Sequence, residues 1–147
     1  MANSEPLLEE SSQPQGGRRY FTLSEARRAL PLVRRIAADA RATQLERLRL
    51  HGELSGQRPV SADEAAALRK DLQRQTDRLE ELVAELTQVG VEMKDPLRGL
   101  LDFPARHESR AVYLCWQAGE ETVAFWHEVD GGYAGRKSVA LLHDHAQ

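Results

Sequence analysis

The sequence predicts an α+β fold: a long antiparallel helical hairpin packed on a small antiparallel β-sheet of about three strands. Three observations predict it. Thr22-Leu-Ser-Glu25 and Ser61-Ala-Asp-Glu64 are capping-box patterns, and each opens a long stretch with apolar residues at helical spacing. After Gly90 the period changes, and β-branched and aromatic residues take over. Six of the eight aromatic residues (Phe103, Tyr113, Trp116, Phe125, Trp126, Tyr133) then fall in this last part, with none between Thr22 and Asp102.

Residues 1–17 are Ser, Glu, Gln, Pro and Gly around a lone Leu7-Leu8. They cannot bury enough surface to offset the entropy of ordering, so a disordered tail with exposed leucines is expected. In the first helix Leu30, Val33, Ile36, Ala37 and Ala40 recur at helical spacing. Pro31 lies too deep for a first turn and predicts a kink or a break. The helix continues through Leu45 and Leu48 to the Gly52–Gly56 region, where a loop ends at Pro59.

The second helix carries the cleanest periodicity: Leu68, Leu72, Gln75, Leu79, Leu82, Leu86, Val89. Steps of four and three make a heptad seam of the coiled-coil kind, and Gly90 stops it at the expected position. Each helix spans about 40 Å at 1.5 Å per residue. Charge matches the pairing. Arg18–Arg58 holds ten arginines against four acids, and Ser61–Asp95 holds nine acids against five bases. That complementarity accounts for the arginine-rich face without nucleic acid.

Gly99–Pro104 reads as a short strand closed by proline. Ala111–Gln117 and Thr122–His127 read as a β-hairpin, and Asp130-Gly-Gly132 as a further turn. The chain thus divides into a tail at 1–17, one domain at 18–140 (hairpin 22–90, β part 97–138) and a frayed end at 141–147 carrying His143 and His145.

Composition excludes several classes. The net charge of −3 argues against a dedicated nucleic-acid or polyphosphate binder. One cysteine makes no internal disulfide. No apolar run is long enough to cross a bilayer, and the N-terminus lacks the basic and apolar regions of a signal peptide. A cytoplasmic location is expected.

The chemistry-bearing residues lie in the aromatic part. Asp102 interrupts an apolar strand, and His127 ends an aromatic one just before a glycine turn. Together with Asp95, Glu128 and Arg136 they form the candidate polar cluster. A histidine with two carboxylates (His127, Asp102, Glu128) suits a divalent metal or an acid–base pair, against the plainer reading of a half-buried structural histidine. Pairing Gln117 with Thr122 would set Cys115 and His127 on opposite faces, so Cys115 is not expected to share a metal with His127. Structural zinc is rejected for lack of cysteines. Gly131–Ser138 resembles a phosphate loop but has the wrong glycine spacing, and Arg136 stands where lysine belongs.

Tyr20-Phe-Thr-Leu-Ser-Glu-Ala with Leu30-Pro31, Gly90–Asp95, Arg98–Ala105, Val112–Trp116 with Gly119-Glu120, Phe125–Glu128 and Gly135-Arg136 resemble the bacterial family catalogued as domain of unknown function 2203. The resemblance covers about residues 20–138. It implies a small protein of hairpin-plus-sheet type and points to Asp95, Asp102, His127, Glu128 and Arg136 as site positions. It implies no activity.

The expected function is a binding or assembly module whose hairpin self-associates as a homodimer or docks on a protein partner, with the aromatic sheet as recognition surface. The alternative is a metal- or anion-dependent enzyme built on Asp102, His127, Glu128 and Arg136, with a divalent metal as the one cofactor the residues suggest.

Overall fold

The computed structural model describes residues 19–141. The expected N-terminal tail and the His143–His145 end lie outside the described residues. Helix α1 (Leu23–Ser55) and helix α2 (Ala62–Val89) form the antiparallel hairpin. Both capping boxes close. The Thr22 hydroxyl accepts from the Glu25 N–H at 3.0 Å, while the Glu25 carboxylate accepts from the Thr22 N–H at 2.9 Å. Ser61 and Glu64 repeat the exchange at 3.0 Å each way. Each box satisfies two of the donors that a helix start leaves unpaired.

Of the kink or break expected at Pro31, the break does not occur: α1 runs through it as one helix. Pro31 sits on the exposed side, where the Arg27 carbonyl deprived of its helical donor can meet water. At the far end of α2, Gly90 adopts φ +100° and its N–H bonds the Leu86 and Thr87 carbonyls. Only a residue at ease with positive φ makes this exit, which turns the chain into the sheet.

The sheet has five strands rather than about three. They are β1 (Glu92–Asp95), β2 (Leu100–His107), β3 (Arg110–Gln117), β4 (Phe125–Glu128) and β5 (Lys137–Ser138), in the order β1-β2-β3-β4-β5 and antiparallel throughout. The strand expected to stop at Pro104 runs on to His107. A residue's N–H and C=O point to the same side of a strand, and the Pro104 carbonyl accepts from Phe21 at 2.7 Å. The missing proline N–H therefore faces away from β3, beyond the end of β1, and no ladder bond is lost. The turn into β3 is a two-residue one in which Glu108 and Ser109 both take positive φ, the geometry that matches strand twist.

One face of the sheet packs on the hairpin. Leu101, Phe103, Val112, Leu114, Trp116 and Trp126 join Ala26, Leu30, Val33, Ala37, Leu82 and Leu86 in a single core. Of the α2 seam only Leu82 and Leu86 are buried, because only the sheet-proximal half of the hairpin has a third layer over it. Leu68 and Leu72, farther from the sheet, are half-buried, while Leu50 of α1 toward that end is buried. Leu86→Ala is therefore expected to cost about 2–5 kcal/mol, and Leu79→Ala at the half-buried position less. Urea denaturation checks this; equal midpoint shifts for the two variants would contradict the layer argument.

Strand alternation also divides the aromatic residues. Phe103, Trp116 and Trp126 enter the helix-facing core, while Tyr113 and Phe125 lie on the outer face. They do not make one continuous recognition surface.

Candidate metal centre

The outer face of the sheet is where the polar residues meet. Register places Glu92, Asp102, Cys115, Phe125 and Ser138 in one cross-strand row, with Tyr113 and His127 in the next. The pairing of β3 with β4 is one residue away from the expected one: Tyr113 opposes His127 and Cys115 opposes Phe125. The cause is Val123. It leaves the strand to bury itself completely in the core, where its carbonyl accepts from Arg27 Nε at 3.0 Å and Nη2 at 2.9 Å. The connection from Ala118 to Ala124 is longer than the four-residue turn the sequence suggested, and β4 starts at Phe125. One residue of slip turns His127 to the same face as Cys115.

Asp102 on β2 and His127 on β4 reach over β3 toward each other. His127 Nε2 lies 3.1 Å from both Asp102 oxygens, the carboxylate contact expected for this histidine. Beneath them on the middle strand is Cys115, whose small side chain leaves room for the pair to close. A donor atom from each of the three residues lies within 4.8 Å of the other two. All three are buried: Asp102 2 %, Cys115 0 % and His127 3 % exposed.

The histidine orientation has chemical content. His127 Nδ1 is 2.7 Å from the Glu128 carbonyl, which can only accept, so Nδ1 carries a hydrogen. Nε2 then faces the carboxylate, and two lone pairs cannot oppose each other at that distance. A proton, or a cation in its place, has to lie between them. Metal-bound histidines likewise donate their other ring N–H to a backbone carbonyl or a carboxylate.

Electrostatics agree with a site that takes up positive charge. Burial pushes the Asp102 carboxyl above the ordinary range, opposed by His127, Cys115 and Lys94. Burial, reinforced by the Asp102 charge, pushes the Cys115 thiol up to about 12. The folded value lies above the unfolded 9.0, so the thiol's contribution to stability is intact below pH 9 and is lost as pH rises toward 12. In metal-free protein, unfolding free energy of the wild type is expected to fall relative to Cys115→Ala above that point. The limiting slope is about 1.4 kcal/mol per pH unit. Parallel pH curves for the two proteins would show that the buried thiol does not govern the alkaline limb.

The other expected site residues take different work. Glu128 points away from the centre and chelates Arg110, at 2.9 Å to Nε and 2.6 Å to Nη2. That pairing holds its carboxyl below the ordinary range. Glu128 contributes its backbone carbonyl to the centre and not a ligand side chain. Asp95 accepts from the Leu97 and Arg98 N–H groups and stabilises the β1–β2 turn. Arg136 forms a bidentate pair with Glu120 at 2.7 Å and lies 4.1 Å from the Phe125 ring centroid. With Arg98 it also contacts Tyr133, and its Nη2 lies 3.5 Å from the Cys115 carbonyl. Cys115 is the functional candidate that sequence reasoning set aside. Its signal was present in the row that Asp102 shares with β3, but reading it required the β4 register.

The fold and the cluster together define a class: an α+β protein with a buried carboxylate–imidazole–thiol cluster on the outer face of its sheet. The chain belongs to the DUF2203 family, described as an uncharacterized conserved protein, whose model matches residues 19–139. No curated protein and no solved structure matches it. Among the described residues no helix is long and apolar enough to cross a membrane.

Proposed function

We propose that this protein is a metal-dependent protein whose Asp102 carboxylate, Cys115 thiolate and His127 Nε2 hold one divalent ion of the zinc class. The observation that carries the reading is the convergence of three chemically distinct donors, all buried, with the histidine tautomer fixed by the Glu128 carbonyl. Donors around a tetrahedral zinc stand about 3.3–3.8 Å apart, given bond lengths of about 2.0–2.3 Å. The 3.1 Å contact and the 4.8 Å limit bracket that spacing. A nitrogen, sulfur and oxygen set suits zinc over magnesium or calcium, which favour oxygen alone.

Three protein donors leave one tetrahedral position for water or a substrate atom, as in catalytic rather than structural zinc centres. An ion there would supply Lewis acidity and an acidified water. The chain's own part is to orient His127 and exclude bulk water, with Tyr113 beside the imidazole at 5.4 Å.

Cobalt substitution of chelator-stripped, untagged protein tests the metal reading. His143 and His145 are replaced by alanine to remove tail binding. One cobalt per chain with a thiolate charge-transfer band is expected, with the band lost in Cys115→Ala and binding lost in His127→Gln. Sub-stoichiometric cobalt, or a spectrum indifferent to Cys115→Ala, would end the proposal.

A second reading, assembly through the hairpin, rests on Leu45 and Leu48, each 46 % exposed on α1. It predicts a dimer by sedimentation that Leu45→Ser/Leu48→Ser converts to monomer; a monomeric wild type at high micromolar concentration would remove it.

A further inference from the structure

A cleft of about 780 Å3 opens between α1 and the β3–β4 connection, and it lies apart from the metal centre. One wall is a face of α1 stepping by three and four residues: Pro31, Arg34 and Arg35, Ala38, Arg41. Opposite are Gly99 and the run from Ala118 to Glu121, with Trp116 at the base. Ala37, Ala38, Gly99, Ala118 and Gly119 are the small residues of its walls. Gly119, at φ +101°, has nothing within 4 Å of where a Cβ would stand, so the connection bows away and leaves the space open.

The arginines of this cleft differ from the others on α1. Arg27 binds the Val123 carbonyl, Arg28 the Ser24 hydroxyl, Arg47 Thr76 and Gln44, and Arg49 two glutamates. Arg34 and Arg35 have no side-chain partner among the described residues. Arg41 is anchored by one bond, Nε to the Leu97 carbonyl at 2.8 Å, which leaves its terminal nitrogens free to turn toward the cleft. Two acids line the same space. Glu120 is already neutralised by the bidentate Arg136, so Glu121 is the one uncommitted carboxylate facing three guanidinium groups.

We propose that this cleft binds a small organic oxyanion, its charged head taken by Arg34 and Arg35 and its apolar body lying against Ala38, Ala118 and Trp116. Guanidinium forks match the paired oxygens of phosphate and carboxylate, and an apolar slot with a few convergent polar groups is the usual build of a small-ligand site. The site stands independently of any metal at Cys115.

Titration with phenyl phosphate, benzoate and neutral benzyl alcohol, followed through the Trp116 indole N–H resonance, tests it on the full chain. Saturable binding of at least one anion, at one per chain and weakened by salt, is expected, with benzyl alcohol at least tenfold weaker. A preference for phenyl phosphate assigns phosphate esters as the ligand class, and a preference for benzoate assigns carboxylates. Arg34→Gln/Arg35→Gln should weaken the anion at least tenfold. Ala38→Leu, which fills the slot and keeps every charge, should do the same. Arg69→Gln, which removes one charge on α2, should change nothing. Failure of both anions to bind at millimolar concentration overturns the proposal, as does binding that the cleft variants leave unchanged.

Discussion

Saturating zinc is expected to raise the unfolding free energy of the stripped protein by about 4 kcal/mol when free ion stands at about 1,000 times Kd. For a chain of 147 residues that corresponds to a rise in Tm of roughly 8–16 °C. The magnitude follows from mass action, because the ion binds a site that exists only when β2, β3 and β4 are paired. In the unfolded chain Asp102, Cys115 and His127 stand 13 and 12 positions apart and cannot be gathered without a loop-closure cost. Ligation requires the thiolate, so the ion must displace the proton that burial holds on Cys115. Affinity is therefore expected to climb with pH through the neutral range. Calorimetry with and without zinc checks both points. The reading fails if Cys115→Ala and His127→Gln keep the full zinc shift, since the ion would then be bound elsewhere.

Asp102→Ala in metal-free protein is expected to cost about 3–5 kcal/mol, the scale for removing one partner of a buried pair. Among the described residues the carboxylate is the hydrogen-bond partner of His127 Nε2, and the side chains are each 3 % exposed. Deleting it leaves a buried ring nitrogen without that partner and a small void beside it. The double variant Asp102→Ala/His127→Leu discriminates this from a simple packing loss. Removing both polar partners should recover part of the stability lost in the single variant, giving a coupling energy of about 1 kcal/mol or more. Chemical denaturation of the four proteins of the cycle measures it. A single-variant cost below about 1 kcal/mol, or strict additivity, would mean the pair is not energetically joined.

The parts of the fold legible in the sequence are those whose signals are local. A capping box needs four consecutive residues, and both boxes form where Thr22–Glu25 and Ser61–Glu64 stand. Gly90 stops α2 because only the residues next to it are involved. The seam from Leu68 to Val89 shows which side of α2 faces its partner, but not how much of that side is covered. Coverage depends on where the sheet ends, and it reaches Leu82 and Leu86 but not Leu72. Strands β1 and β5 escaped notice because four residues and two residues carry too little alternation to stand out.

The candidate site divides in the same way. An acid inside an apolar strand and a histidine ahead of a glycine turn are local anomalies, and they named Asp102 and His127 correctly as partners. Asp95, Glu128 and Arg136 are equally polar in sequence, yet local turn N–H groups, Arg110 and Glu120 claim them.

The sequence by itself thus determined the helical hairpin, the change to strands after Gly90, and the two residues that meet across the sheet, because helix caps, apolar period and misplaced charge act over a few neighbours. The tertiary structure alone decided that Cys115 lies beside Asp102 and His127 and that the Glu128 side chain pairs with Arg110 instead. That outcome hangs on Val123 leaving β4 for the core: one residue of register exchanges every side chain between the two faces, and only packing against α1 selects which register is lower in free energy.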